Sequence, residues 1–283
     1  EYIAKIWVSG YDNDIVKSGK IKQENLKHNQ AANLQFFGFN TRLNKFNDRR
    51  VRQAIGMAFN FDWANDKLFY QQYQRLFSYF TNTGMEATGL PQGKEKDILG
   101  QYRSILPQSV FEQAPTLPSH KTAMETRENL KTAVRLLKNA GYDFKDGVMT
   151  NSQTGEPLQF EILGNAANGS SFTRVMLPFI ENLRKIGIKA TFRNLEPNIF
   201  KNRLDTFDFE MAILALGVSN LPGNEQKDMW GSQAADISGS MNLVGVKNPV
   251  VDDLTRLLVA VEQREDYEAA VKALDRVLLN EHY

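Results

Sequence analysis

The sequence predicts an α/β fold, a sheet covered by helices, and three observations carry that reading. From residue 158 onward, strand-length apolar runs alternate with helical patterns in the order strand, helix, strand, helix, strand, long loop, strand, helix, helix. Alternation of this kind stacks helices on a sheet. Residues 211–216 (MAILAL) form a continuous apolar run, as expected of a strand covered on both faces. Residues 125–140 place Leu130, Ala133, Val134, Leu136 and Leu137 along one helical face, the mark of a helix lying on a core.

Taken in order, residues 1–32 are polar and uneven, with a helical turn or two expected within 14–22. Residues 34–40 (LQFFGFN) predict a strand with aromatic side chains on both faces. Asn47 or Asp48 then offers an N-cap for a helix over 49–59, with Val51, Ala54, Ile55 and Ala58 inward. The spacing of Ala64, Leu68, Phe69, Tyr73, Leu76 and Phe77 predicts a second helix over 62–77, its aromatic stripe mainly core. Glycines and prolines make 78–118 a loop-rich stretch running over the surface. After the helix over 125–140, Gly141 is the expected C′ residue, and Asp146-Gly147 and Thr154-Gly155 mark the turns of a short hairpin. Strands are expected over 158–163 and 188–194, helices over 171–186 and 197–203. A short strand over 243–246 follows the long loop. The last two helices begin at Asn248-Pro249 and near Glu265, the first with Leu254, Leu257, Leu258 and Val261 as its buried stripe.

Composition narrows the function classes. Lys plus Arg is 34 against 33 for Asp plus Glu, so the formal net charge of +1 gives no support to nucleic-acid or membrane-surface binding. No apolar stretch approaches the ~18 residues of a membrane span. The absence of cysteine removes disulfides, thiolate metal sites and thiol nucleophiles, and is compatible with a bacterial envelope protein. The chain opens on Glu1 without a signal-peptide pattern and stops without a cap, so both ends read as cut from a longer chain.

The catalytic and metal patterns fail one by one. Residues 164–171 (GNAANGSS) have the placement and glycine spacing of a phosphate loop, but Ser170 stands where a lysine would reach the phosphates. The plainer reading is a strand-to-helix turn capped by Ser170 or Ser171. His28, His120 and His282 lie far apart in sequence, with no second ligand at helical spacing. Asp252-Asp253 falls in the first turn of a helix, where carboxylates suit the dipole. No catalytic residue, metal or cofactor is therefore expected.

What remains is the long loop within residues 207–246, between the apolar runs 211–216 and 243–246. It holds Asn220, Asn224, Gln226, Trp230, Ser240 and Asn242, and loops this long inside compact domains are uncommon unless functional or disordered. Trp230 offers a stacking face and one donor; the amides donate and accept together, which suits peptide bonds or other neutral polar groups better than phosphate. Tyr79 and Asn82 are candidates to join them. The alternative is an irregular excursion with Trp230 folded back as a plug in the core.

Asn40-Thr41-Arg42 followed by Phe46-Asn47-Asp48-Arg49-Arg50-Val51-Arg52-Gln53-Ala54 resembles the "N-t-r…f-x-D-x-R-V-R-x-A" signature of family 5 extracellular solute-binding proteins. Leu136-Leu137-Lys138-Asn139-Ala140-Gly141-Tyr142, Leu183-Arg184-Lys185-Ile186-Gly187-Ile188 and Asn248-Pro249-Val250-Val251-Asp252-Asp253-Leu254 are similar to further blocks of that family, in the family's order. Within it, residues 61–80 and 222–240 look closest to the Yej-type oligopeptide-binding subunit. The resemblance implies a class II periplasmic-binding fold, here mainly the C-terminal lobe with a mixed sheet flanked by helices. Residues 1–33 would lead in from the other lobe, 34–247 would form the ligand-binding lobe, and 248–283 a helical pair leading back. It further implies a monomeric, periplasmic, non-enzymatic receptor that closes on an oligopeptide or peptide conjugate and delivers it to ABC permease subunits. Many dipeptide receptors of the family carry an Asp after the strand matching 211–216. Here that stretch reads Gly217-Val218-Ser219-Asn220, which departs from the pattern. Two readings from other classes stay open: an envelope hydrolase using Glu225 and Asp228, or a protein-interaction module.

Overall fold

The computed structural model describes residues 4–26, 28–168 and 171–283. Helices α1 (Asp14–Lys17), α2 (Asn44–Asn47), α3 (Arg49–Met57), α4 (Phe61–Lys67), α5 (Gly93–Gly100), α6 (Ser109–Glu112), α7 (Ala123–Asn139), α8 (Ser171–Lys185), α9 (Pro197–Asp205), α10 (Glu225–Trp230), α11 (Pro249–Ala260) and α12 (Arg264–Glu281) surround strands β1 (Leu34–Phe39), β4 (Gln159–Asn165), β5 (Lys189–Leu195) and β6 (Met211–Leu216). These four make one mixed sheet in the order β1-β6-β4-β5: β4 is parallel to β5 and β6, and β1 is antiparallel to β6. A separate hairpin joins β2 (Tyr142–Lys145) and β3 (Val148–Asn151). Its turn, Asp146-Gly147, carries φ of 51° and 79°, the left-handed pair that a tight hairpin requires.

The sheet divides two hydrophobic cores, and strand alternation sorts residues between them. Phe39, Phe160, Ile162, Met211 and Ile213 join the core beneath α3, α7 and α8; Leu34, Leu163, Ala212, Leu214 and Leu216 join the core beneath α5, α10, α11 and α12. Residues 248–283 thus contribute Leu254, Leu258, Ala270 and Leu274 to the lobe's own core. The expected caps Asp48 and Asn248 are observed, Pro197 is the first residue of α9 as expected, and Gly141 takes φ 87° at the end of α7.

Three expectations are corrected. The helix predicted over 62–77 ends at Lys67, because the Asn65 side chain binds both backbone groups of Tyr73 (3.1 and 2.8 Å) while Tyr70 and Gln71 turn left-handed at φ 53° and 59°. Tyr73 and Phe77 of the aromatic stripe are consequently exposed. No strand forms over 243–246: the Asn242 amide takes the N–H groups of Gly245 and Val246 that a ladder would use. The long loop is also less open than predicted, since it contains α10 and a 3-10 turn, Ser232–Ala234. Of the expected strand-to-helix turn, Ala166–Asn168 form a 3-10 turn, whereas Gly169 and the candidate cap Ser170 lie outside the described residues.

Candidate ligand-binding edge

From the central strand β4 the chain passes to β5 on one side and returns to β6 on the other. In open sheets such a reversal leaves a crevice at the carboxyl ends of the strands, the ordinary place for a ligand. Here that edge is built from residues 164–168 after β4, 195–198 after β5 and 217–225 after β6. It is joined by 31–34, which enters β1 from the same end, and by 81–86. Local polar chemistry ties these segments together. Asn220 Oδ1 accepts the Ala31 N–H at 2.5 Å, Asn33 Oδ1 accepts that of Val218 at 3.4 Å, and Ala32 N–H donates to the Thr81 carbonyl at 2.9 Å. Tyr267 of α12 donates its hydroxyl to the Pro222 carbonyl at 2.7 Å, pinning the loop after β6.

Asn220, Asn82 and Asn224 are exposed at this edge. Asn224 precedes α10 without capping it by its side chain, and Asn82 is held at φ 69° with its backbone N–H on Glu86 Oε1 at 2.6 Å. An open groove of about 400 Å³, lined by Leu221, Pro222, Asn224, Leu258 and Val259 among others, adjoins the same loop.

The other sequence-predicted residues lie elsewhere. Trp230 is 2% exposed, its Nε1 donates to Gln226 Oε1 at 3.0 Å, and its ring meets Tyr79 edge-on with centroids 5.1 Å apart. The expected stacking face is thus a core face, sealed by this chain alone, and Gln226 is spent on satisfying the indole. Tyr79 is packed against the same core; its backbone N–H donates to buried Asp275, and burial drives its hydroxyl above the usual tyrosine range. Asn242 is fully buried, donating to the carbonyls of Gly231 and Val246 and accepting from Gly245 and Val246. Ser240 donates to the Ala234 carbonyl. Its neighbours reach the amino end of β6: Gly239 N–H donates to Asp205 at the end of α9, and the Val244 carbonyl accepts the N–H and the hydroxyl of Thr41, just past β1. Ser240 and Asn242 therefore stand at the opposite edge of the sheet from Asn220, about 20 Å away along a six-residue strand. The loop crosses one layer of the lobe from end to end, which its sequence does not disclose.

Glu225 Oε1 accepts from Gly223 N–H at 2.8 Å and from the Gln226 amide, while Asp228 is exposed one turn on.

A family model described as bacterial extracellular solute-binding proteins, family 5, middle region, matches residues 4–237. The chain belongs to this family. It is 40% identical over 279 residues to the probable peptide-binding protein YejA of Agrobacterium fabrum, covering 98% of this chain and 45% of that relative. Among solved structures it is similar to the oligopeptide-binding protein AppA from Bacillus subtilis in complex with a nonapeptide, at 18% identity and a TM-score of 0.69 over 98% of this chain and 50% of AppA. A periplasmic oligopeptide-binding protein from Thermotoga maritima gives 17% identity and 0.68 over 96% and 47%. These likenesses show the class II periplasmic-binding fold, and the chain spans about half the length of the proteins it matches.

In this family member the signature residues hold the fold, away from the candidate edge. Asn40 is buried and donates to the carbonyls of Phe207 and Phe209 at 3.0 and 2.9 Å. Arg42 binds the carbonyls of Ala235, Asn242 and Leu243, lies 3.6 Å over the Phe207 ring, and is pulled down to about 10 by burial. Arg52 is 2% exposed and binds the carbonyls of Phe46, Asn47, Glu281 and His282. Arg50 does pair with Asp48, at 2.6 Å. A charged side chain that satisfies several carbonyls at once is compatible with burial where an unpaired one is not.

Proposed function

We propose that this chain is one ligand-binding lobe of a two-lobed, non-enzymatic receptor that captures peptides at the bacterial cell envelope and presents them to an ABC permease. The observation that carries the reading is the amide-rich edge at the carboxyl ends of β4, β5 and β6. Asparagine side chains supply a donor and an acceptor together, the pattern that matches a peptide group. Membership of the solute-binding family, the likeness to YejA, whose name describes peptide binding, and the nonapeptide complex of AppA support the same reading. Such capture proceeds by closure of two lobes about a hinge. An isolated lobe then retains only part of the affinity. Asn220, Asn82 and Asn224 are the ligand-facing residues, with Trp230, Gln226 and Tyr79 packed in the core behind the loops that carry them, while Asn242 and Ser240 brace the far edge.

The test is native mass spectrometry of the full-length receptor, taken from its own envelope without refolding. A co-purified peptide, weakened roughly tenfold or more (about 1.4 kcal/mol) in the Asn82, Asn220 and Asn224 triple alanine variant, is expected. Retention of ligand by that variant would remove this edge from the site. A protein that comes out empty and ignores a broad peptide library would remove the peptide reading.

A further inference from the structure

The ladder between β1 and β6 closes with Leu34 opposite Leu216, both buried in the core that also holds Phe80. Past that pair the two chains stay joined through side chains. Asn33 Oδ1 accepts the Val218 N–H at 3.4 Å, and Asn220 Oδ1 accepts the Ala31 N–H at 2.5 Å. Each asparagine reaches a backbone group one residue from its own register partner, and the two bonds run in opposite directions between the same two chains. The intervening Ala32 N–H donates to the carbonyl of Thr81 at 2.9 Å, and Asn82 is the next residue. Residues 31–33 are therefore bonded both to the loop that carries Asn220 and Asn224 and to the segment that carries Asn82.

The ladder and the core hold these chains as far as Leu34 and Leu216. Beyond that point Asn33 and Asn220 are both exposed, and their side-chain oxygens take the part that backbone carbonyls play in the ladder. A ligand that touches Asn82 and Asn220 together needs their loops at one spacing. Loops that must be ordered on binding give up affinity, and bonds that order them beforehand restore it. Resting on the peptide-receptor reading above, we propose that Asn33 is a positioning residue of this edge. With Asn220 it forms a clip, made by the two side-chain oxygens, that spaces the two amide-bearing loops and ties both to the chain entering β1. A displacement of residues 31–33 is then passed to both loops at once.

The experiment pairs amide hydrogen exchange with retention of a mixed hexapeptide library, both in the full-length receptor. Asn33→Ala should speed exchange by about threefold or more at Val218, which loses its acceptor, and also at Ala31, which does not. The same variant should retain about threefold less of the library than wild type. Asn33→Asp keeps the accepting oxygen and discards the Nδ2 donor, so it should return exchange and retention to within about twofold of wild type. Exchange that rises at Val218 alone, or nowhere, overturns the clip. Retention unmoved by Asn33→Ala overturns the positioning role. An Asn33→Asp variant as impaired as Asn33→Ala overturns it too, since the donor and not the oxygen would then matter. A library that wild type itself does not retain removes the peptide reading and the positioning role together, an outcome recognised without any variant.

Discussion

Asn242 shows how much one side chain decides. Its amide makes four hydrogen bonds between 2.8 and 3.0 Å in a stretch outside any helix or strand, doing for the backbone of 242–246 what a strand partner would otherwise do. Asn242→Ala leaves buried carbonyl and N–H groups unpaired and should cost about 2–4 kcal/mol, read as a lowered urea midpoint. Asn242→Asp should cost a comparable amount, since it loses both donors. Trp230→Ala should behave as a core truncation, costing about 3–5 kcal/mol, because the ring is enclosed by Tyr79, Gln226 and the core beneath α11 and α12. A Trp230→Ala variant of undiminished stability and weakened ligand affinity would contradict the burial and restore the indole to the site.

At the scale of elements, the segment that carries Asn82 is clasped by α12. The Asp275 carboxylate accepts the N–H of Tyr79 at 2.9 Å through one oxygen and that of Ala87 at 2.8 Å through the other, fixing both ends of the segment to a fully buried point. Burial raises this carboxyl from 3.8 to about 6, the hydrogen bonds from Ala87, Ser78 and Tyr79 opposing the rise. A raised carboxyl pKa means that the group's contribution to stability is fully present below pH 3.8 and is lost as pH rises through about 6. Asp275→Asn holds the position neutral. Its stability relative to wild type should therefore improve by about 1–3 kcal/mol between pH 4 and pH 7, whatever the constant cost of the altered hydrogen bonding. The comparison is made between variant and wild type because His282, pulled down to about 4 by burial near Arg52 and Arg49, moves the total the opposite way over the same window. A stability difference that does not change with pH would show that Asp275 is not perturbed.

On the scale of the whole molecule, the loop after β6 joins the two edges of the sheet, and only one of them carries the amide rim. Ser240→Ala, at the other edge, should leave peptide affinity within about twofold of wild type by isothermal titration, whereas Asn220→Ala should weaken it several-fold. Equal effects would mean that ligand reaches both edges. The buried arginines act at this scale as well. Arg52 ties the start of α3 to the end of α12, and Arg276 of α12 pairs with Glu95 of α5 at 2.6 Å while donating to the Gly89 and Thr88 carbonyls. Removing one partner of so enclosed a pair, as in Glu95→Gln, should cost about 3–5 kcal/mol by leaving a buried charge uncompensated. An unchanged midpoint in chemical denaturation would count against this.

The sequence by itself determined the fold class, the order of elements from β4 to β6 and the last two helices, the caps at Asp48 and Asn248, the Asp146-Gly147 turn and the family, because each depends on residues close together in the chain. Periodicity reports which side of a helix or strand is apolar, and cap and turn residues report local backbone geometry. It determined the wealth of amides in the long loop, but not which of them face outward. An asparagine that satisfies a buried backbone and one that waits for a ligand have the same local signature, and a tryptophan serves a core as readily as a binding surface. Only the tertiary structure decided between them, by placing β6 beside β4 and α10 beneath α11. That packing sealed Trp230 and Gln226 inside, carried Ser240 and Asn242 to the far edge, and left Asn82, Asn220 and Asn224 where the parallel strands end.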